Sequence, residues 1–313
     1  MQPVEPNHSI VNSPSMPDAL GTTTPPVVVP VVSTPATLPA ALTAASPATA
    51  PRPIVIERNQ VEIWDVPFDV ITLDQSLQHI SRLIHRGEPS YVITANLNYV
   101  MLHHRNDDLR AITRDADLIV ADGQPIVWRS KLGDRPLPER VAGSEMIYEI
   151  GRYAGEKGWS IYFLGGEAGV AQSCATELAR LYPGMKIAGV ESPPFRPLTD
   201  PEQRAQDHRI QTSGADILLV AFGQPKGELW IHEHYKRLGV PVNIQLGASF
   251  DFVAGNVIRA PKICQAIGME WFYRMVSDPR RLVKRYATNA WFLATALAQD
   301  WKRKVHSWGM GIE

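Results

Sequence analysis

Cysteine is nearly absent. Cys174 and Cys264 stand alone in unrelated contexts, which excludes a disulfide framework and a thiolate metal site and suits a reducing compartment. Both read as small apolar packing residues. Net charge is also missing: 31 basic against 32 acidic residues leave −1, giving no global attraction to nucleic acid or to a membrane. No stretch approaches the roughly 20 apolar residues that span a bilayer. The longest candidate, Ala287 to Ala298, is too short and flanked by charge. The N-terminus lacks a basic segment leading into an apolar one, so no secretory signal is read there and the protein is expected in the cytoplasm. Any membrane contact would then be peripheral.

What is present divides into three. Residues 1–53 hold twelve prolines and three charged residues, Glu5, Asp18 and Arg52. Repeated proline removes backbone donors and fixes φ, so this reads as a disordered arm. From 54 to 258, short apolar runs alternate with amphipathic segments. Strands are expected at Val61–Ile63, Tyr91–Thr94, Leu118–Ala121, Ser160–Leu164, Lys186–Val190, Ile217–Ala221 and Asn243–Leu246. Helices are expected at Leu73–His85, Asn98–Arg105, Ser144–Lys157, Ala168–Leu181, Pro201–Thr212 and Gly227–Leu238. This is the α/β pattern of a Rossmann-like, mostly parallel sheet covered by helices on both faces. Ligands in such sheets bind beyond the carboxyl ends of the strands. The third part, 259–313, reads as a helical, basic C-terminal appendage. From Glu270 to Lys304 eight Lys/Arg face three acids, and Trp271, Trp291, Trp301 and Trp308 sit within or just after it. Such a segment suits an anionic membrane surface, or a docked subdomain with a solvated basic face.

Several polar groups fall at strand ends. Thr94-Ala95-Asn96 opens a helix, where Asn96 or Asn98 reads most simply as a cap. Asp122-Gly123 directly follows a strand, where a carboxylate is placed for general-base work, although Asp-Gly is also a common turn. Leu164-Gly165-Gly166 links strand to helix like a phosphate-binding turn, but its glycines miss the full dinucleotide spacing. Glu191, after the next strand, is placed to bond a ribose hydroxyl. Arg140 precedes a helix that Ser144 can cap, and its fork suits a diphosphate. A glycine-punctuated loop after the last strand carries Asp251 and Arg259. Asp115-Ala116-Asp117 has the form of a metal–diphosphate motif but lies before its strand, which favours a solvated turn. His232-Glu233-His234 lies within a helix, where neighbours point apart.

In their order these groups resemble the WecG/TagA/CpsF family, glycosyltransferase family 26. The matching marks are Thr94-Ala95-Asn96, Asp122-Gly123, Arg140-Val141-x-Gly143, Leu164-Gly165-Gly166 and Gly223-Gln224-Pro225-x-x-Glu228-x-Trp230. They continue through Gly247-x-x-Phe250-Asp251, Ala254-Gly255, Arg259-Ala260-Pro261, Gly268-x-Glu270-Trp271, Arg274 and Asp278-Pro279-Arg280-Arg281 to Arg285-Tyr286. The resemblance implies an inverting transfer, without metal or cofactor, from a UDP-sugar to a polyprenyl-diphosphate-linked sugar. Asp122 would be the base. Thr94 and Asn96 would line the sugar pocket, Arg140 would meet the diphosphate or acceptor, and Gly165, Gly166, Glu191, Gln224, Glu228, Asp251 and Arg259 would complete the substrate-binding set. The appendage would finish the active site and hold the protein to the inner face of the cell membrane. Nothing in the pattern excludes a homo-oligomer.

One position departs from the family pattern: Gly227 stands where many members carry Gln before Glu228. The run from Gly223 through Lys262 resembles the glucosyltransferases of xanthan-like exopolysaccharide assembly most. That resemblance implies β-1,4 transfer of glucose from UDP-glucose. Transfer of N-acetylmannosamine or its uronic acid is the alternative within the family. Outside it stand an NAD(P)-dependent oxidoreductase using Gly165, Gly166 and Glu191, and a non-enzymatic membrane scaffold.

Overall fold

The computed structural model describes residues 58–257, positions 273, 275 and 276, and 279–309. The expected arm over 1–53 lies outside the described residues, as do Arg259-Ala260-Pro261, Gly268, Glu270, Trp271, Arg274 and Asp278.

The chain enters through a hairpin, β1 (Gln60–Ile63) and β2 (Val66–Asp69), paired antiparallel. Both loop residues, Trp64 and Asp65, have positive φ, the geometry of a two-residue turn whose twist matches its strands. The expected strand at Val61–Ile63 therefore exists but does not join the parallel sheet. Its partner went unforeseen because the turn carries no glycine or asparagine. Asp69 anchors the hairpin: it takes two hydrogen bonds from Arg58 and one from the Ile119 backbone N–H at 2.7 Å.

The remaining strands are β3 (Ser90–Ala95), β4 (Leu118–Ala121), β5 (Ser160–Gly165), β6 (Lys186–Glu191), β7 (Ile217–Ala221) and β8 (Val242–Gln245). They form one six-stranded sheet in the order β4-β3-β8-β7-β5-β6, and every pairing is parallel. Side chains alternate between its faces with period two. Val92, Leu118, Val120, Ile161, Phe163, Leu219 and Ile244 fill one core. Tyr91, Ile93, Ile119, Tyr162, Leu164, Leu218 and Val220 fill the other. Four helices cover the first face: α1 (Leu73–Arg86), α5 (Gly143–Lys157), α6 (Val170–Leu181) and the short α9 (Ser249–Val253). The second face takes α2 (Leu97–His103), α3 (Asp107–Asp115), α4 (Gln124–Ser130), α7 (Asp200–Thr212) and α8 (Lys226–Leu238). The expected helices appear within about two residues of their limits, whereas α3, α4 and α9 were not foreseen. Each of those three is five to nine residues long, too short for a helical apolar period to register clearly.

A final helix, α10 (Pro279–Gly309), runs 31 residues. It is tied to the body by Asp300, which accepts from Arg129 Nε at 2.5 Å, Arg129 NH2 at 2.9 Å and Trp64 Nε1 at 3.0 Å. Phe292 packs edge-on against Trp64 beside this anchor. Among the described residues no helix is long and apolar enough to cross a membrane.

Candidate active site

A cavity of about 800 Å³ opens beyond the carboxyl edge of the sheet. Its wall takes residues from the ends of β3, β4, β5, β7 and β8, and α10 closes one side with Arg285, Tyr286, Asn289 and Leu293. That volume is in the range of sites that enclose a ligand of nucleotide-sugar size. The edge strand β6 contributes nothing to it.

Asp122, Thr94 and Arg140 are brought to one wall by specific contacts. The Asp122 backbone N–H bonds the Ala95 carbonyl at 2.9 Å, fixing the end of β4 against the end of β3. Val141 N–H bonds the Ala121 carbonyl at 2.9 Å, which sets the Arg140 segment beside Asp122. Gly143 then lies close to both side chains: a Cβ there would sit 3.6 Å from Thr94 Oγ1 and 3.7 Å from Asp122 Oδ2. Arg140 also pairs with Glu145 at 2.8 Å. The Thr94 hydroxyl donates to the Gln245 carbonyl at 3.1 Å, so its lone pairs remain to accept.

Asn96 lines the cavity and caps α2 at once, its Oδ1 accepting from Tyr99 N–H at 3.1 Å. A polar chain runs inward from there. Asn98 Nδ2 donates to Gln224 Oε1 at 3.1 Å, and the Gln224 side chain hydrogen-bonds Glu228. Glu228 sits behind the lining, 3% exposed, with Oε2 lacking a hydrogen-bond partner among the described residues. Burial pushes its carboxyl up to about 8 against the opposing pull of its backbone N–H, Gln224 and Arg285. At neutral pH this acid is mostly protonated. Asp251, on α9, and Gly166 also line the cavity.

Other expected residues have different surroundings. Gly165 is not part of the lining; its φ is 110°, and a Cβ there would approach the Ala221 backbone to 2.9 Å, so glycine is required by the packing of β5 on β7. Glu191 ends β6, apart from the cavity, and accepts from Tyr162, Gln206 and both arms of Arg209. Burial raises its carboxyl, but the Arg209, Tyr162 and Gln206 hydrogen bonds outweigh burial and hold it below the usual carboxylate range. Its oxygens are thus already committed within the protein. Arg259 lies outside the described residues. Asp117 bonds Arg86 and the Tyr91 N–H at the amino edge of the sheet, on the rim opposite the cavity. His234 stacks on Trp230, and its Nδ1 pairs with the Trp230 carbonyl.

Among the lining residues that escaped the sequence reading are Gln245, Asn289, Trp128, Phe195 and, as a wall residue, Arg285. Gln245 was absorbed into an expected strand and Asn289 into an apolar run. The positional signal that singled out Asp122, a polar residue at the end of a parallel strand, applies equally to Gln245.

A model of the "Glycosyl transferase WecG/TagA/CpsF family" matches residues 61–306. The chain belongs to this family. It is similar to the N-acetylglucosaminyldiphosphoundecaprenol N-acetyl-beta-D-mannosaminyltransferase of Bacillus spizizenii, 30% identical over 63% of this chain and 75% of that protein. The protein of the same name from Bacillus subtilis strain 168 is 26% identical over 78% of this chain and 93% of its own length. The chain is therefore a glycosyltransferase, which corrects both the oxidoreductase and the scaffold alternatives. Neither relative is a glucosyltransferase, so the expected closeness to xanthan-type enzymes finds no support in them.

Proposed function

We propose that this protein transfers a sugar, with inversion, from a UDP-sugar to a polyprenyl-diphosphate-linked sugar. The observation that carries this reading is the meeting of Thr94, Asp122 and Arg140 on one cavity wall. Asp122 takes the proton from the acceptor hydroxyl as its oxygen attacks the anomeric carbon. The bond to UDP breaks, and Arg140 and Arg285 face the charge that gathers on the diphosphate. The family's named relatives favour N-acetylmannosamine as the sugar moved and lipid-linked N-acetylglucosamine as the acceptor. The run from Gly223 through Lys262, which resembles xanthan-type glucosyltransferases, supports a second reading in which glucose is moved.

The outer face of α10 supports peripheral contact with an anionic membrane. Val283, Ala287, Ala290, Trp291, Ala294, Leu297 and Trp301 are all exposed along it, with Arg280, Lys284, Lys302 and Arg303 exposed nearby. A helix with an apolar stripe and basic flanks lies at the headgroup boundary, where the acceptor lipid would be presented. Radiolabelled UDP-sugars offered with short-chain polyprenyl-diphosphate sugars test the reaction. Product from UDP-N-acetylmannosamine alone selects the first donor and from UDP-glucose alone the second. Product from neither, nor from any other UDP-sugar, removes the proposal.

A further inference from the structure

Gln245 is the last residue of β8 and lines the cavity, yet it is only 3% exposed. Among the described residues its amide makes one hydrogen bond: Oε1 accepts from the Gly247 backbone N–H at 3.2 Å. That N–H can only donate, so it must meet the amide oxygen, which turns the nitrogen the other way. Nε2 is left with no hydrogen-bond partner among the described residues. A buried amide donor without an acceptor is costly, and the great majority of such groups in folded proteins are paired.

The room for this amide comes from one glycine. A Cβ built on Gly227 would lie 2.6 Å from Gln245 Cδ, 2.7 Å from Nε2 and 2.9 Å from Oε1. These separations are shorter than real Cβ contacts allow, so any side chain at 227 and this placement of Gln245 exclude each other. Gly227 does not use a left-handed φ; it sits in the first turn of α8, where alanine would otherwise be preferred. A side chain at 227 would therefore displace the amide from this position.

We propose that Gln245 reads the transferred sugar, donating from Nε2 to one of its neutral oxygens, a hydroxyl or an acetamido carbonyl, and that Gly227 is its seat. The inference rests on the cavity being the transfer site. A neutral amide suits a neutral oxygen, because Arg140 and Arg285 already supply cationic groups for the diphosphate. The Gln245 carbonyl holds the Thr94 hydroxyl, so the reader is built into the same wall as the proposed base.

The test uses the full chain and UDP-sugars in which each hydroxyl, or the acetamido group, is singly replaced by hydrogen. In the parent enzyme one analogue should lose about ten- to hundredfold in kcat/KM, the cost of leaving Nε2 unpaired. Gln245→Met and Gln245→Glu remove the donor, and the second keeps an oxygen for Gly247 N–H. Each should lose a similar factor with the complete sugar and almost nothing further with that one analogue. UDP affinity by calorimetry should be unchanged, which a merely structural role would not predict. Gly227→Ala, by displacing the amide, should give the same selectivity pattern. Parent turnover with every analogue penalty undiminished in both Gln245 variants overturns this proposal and leaves the transfer standing. Absence of parent turnover with every UDP-sugar overturns both.

Discussion

Replacing Glu228 with glutamine should flatten the dependence of stability on pH. Glu228 is 3% exposed and its carboxyl is raised from 4.5 to about 8 by burial. The folded protein therefore keeps a proton that the unfolded chain releases, and stability falls as pH rises from 4.5 towards 8. Each pH unit in which that proton difference is complete costs about 1.4 kcal/mol. The window bounds the loss at about 5 kcal/mol, and water entry and relaxation around the buried site reduce it. Glutamine keeps the size and the hydrogen-bonding capacity toward Gln224 but has no charge to bury. Urea unfolding of both proteins at pH 5, 6, 7 and 8, with equal m-values, isolates the effect. Lowered histidines such as His103 and His234 are common to both chains and cancel in the difference. The stability of Glu228→Gln relative to the parent should grow by at least about 2 kcal/mol between pH 5 and 8. A difference that stays level across that range refutes the reasoning, and with it the protonated state of this acid beside the cavity.

Further outcomes follow from the other anchors. Asp122→Asn should lower kcat by about 10²- to 10⁴-fold with little change in UDP affinity, because a base acts only as the proton moves; near-parental turnover removes Asp122 from that role. Asp300→Asn weakens a two-pronged, partly buried pairing with Arg129, and should cost about 1–3 kcal/mol in thermal unfolding. It should also lower kcat, since the helix it anchors carries Arg285 and Asn289 on the cavity wall; unchanged stability and turnover would show that α10 does not need this tie. Trp291→Ala with Trp301→Ala should reduce sedimentation with anionic vesicles while leaving UDP binding intact, and equal sedimentation of parent and variant would remove the membrane face.

The parallel sheet was legible because strands buried on both faces read as unbroken apolar runs, as in the central Ile217–Ala221 and in the buried edge strand Leu118–Ala121. The hairpin was not, since the Trp64-Asp65 turn with two positive φ values carries neither glycine nor asparagine. Thr94, Asp122 and Arg140 were legible as candidates by their positions after strands and before a helix. Glu191 had the same positional signal, but its oxygens are taken by Tyr162, Gln206 and Arg209, and a pattern read along one chain does not reveal such contacts between elements. Gln245 escaped for the converse reason. Its function rests on the space left by Gly227, a contact between two separate elements.

Strand direction decides which of two similar acids faces the chemistry. Asp117 and Asp122 flank the same four-residue strand, β4. At about 3.3 Å per residue the strand separates their backbones by roughly 16 Å. Asp117, at the amino end, is held by Arg86 and by the Tyr91 N–H, contacts that stitch the sheet together. Asp122, at the carboxyl end, emerges where the parallel strands turn outward into loops, and it faces the cavity with Thr94 and Arg140. Residue type does not distinguish them; the polarity of a parallel sheet does, because all its strands open their loops on one rim. An exchange of roles is testable in that frame: Asp117→Asn should lower stability with kcat retained, and Asp122→Asn should lower kcat with stability retained. If the two variants lose the same property, the division of labour between the rims is wrong.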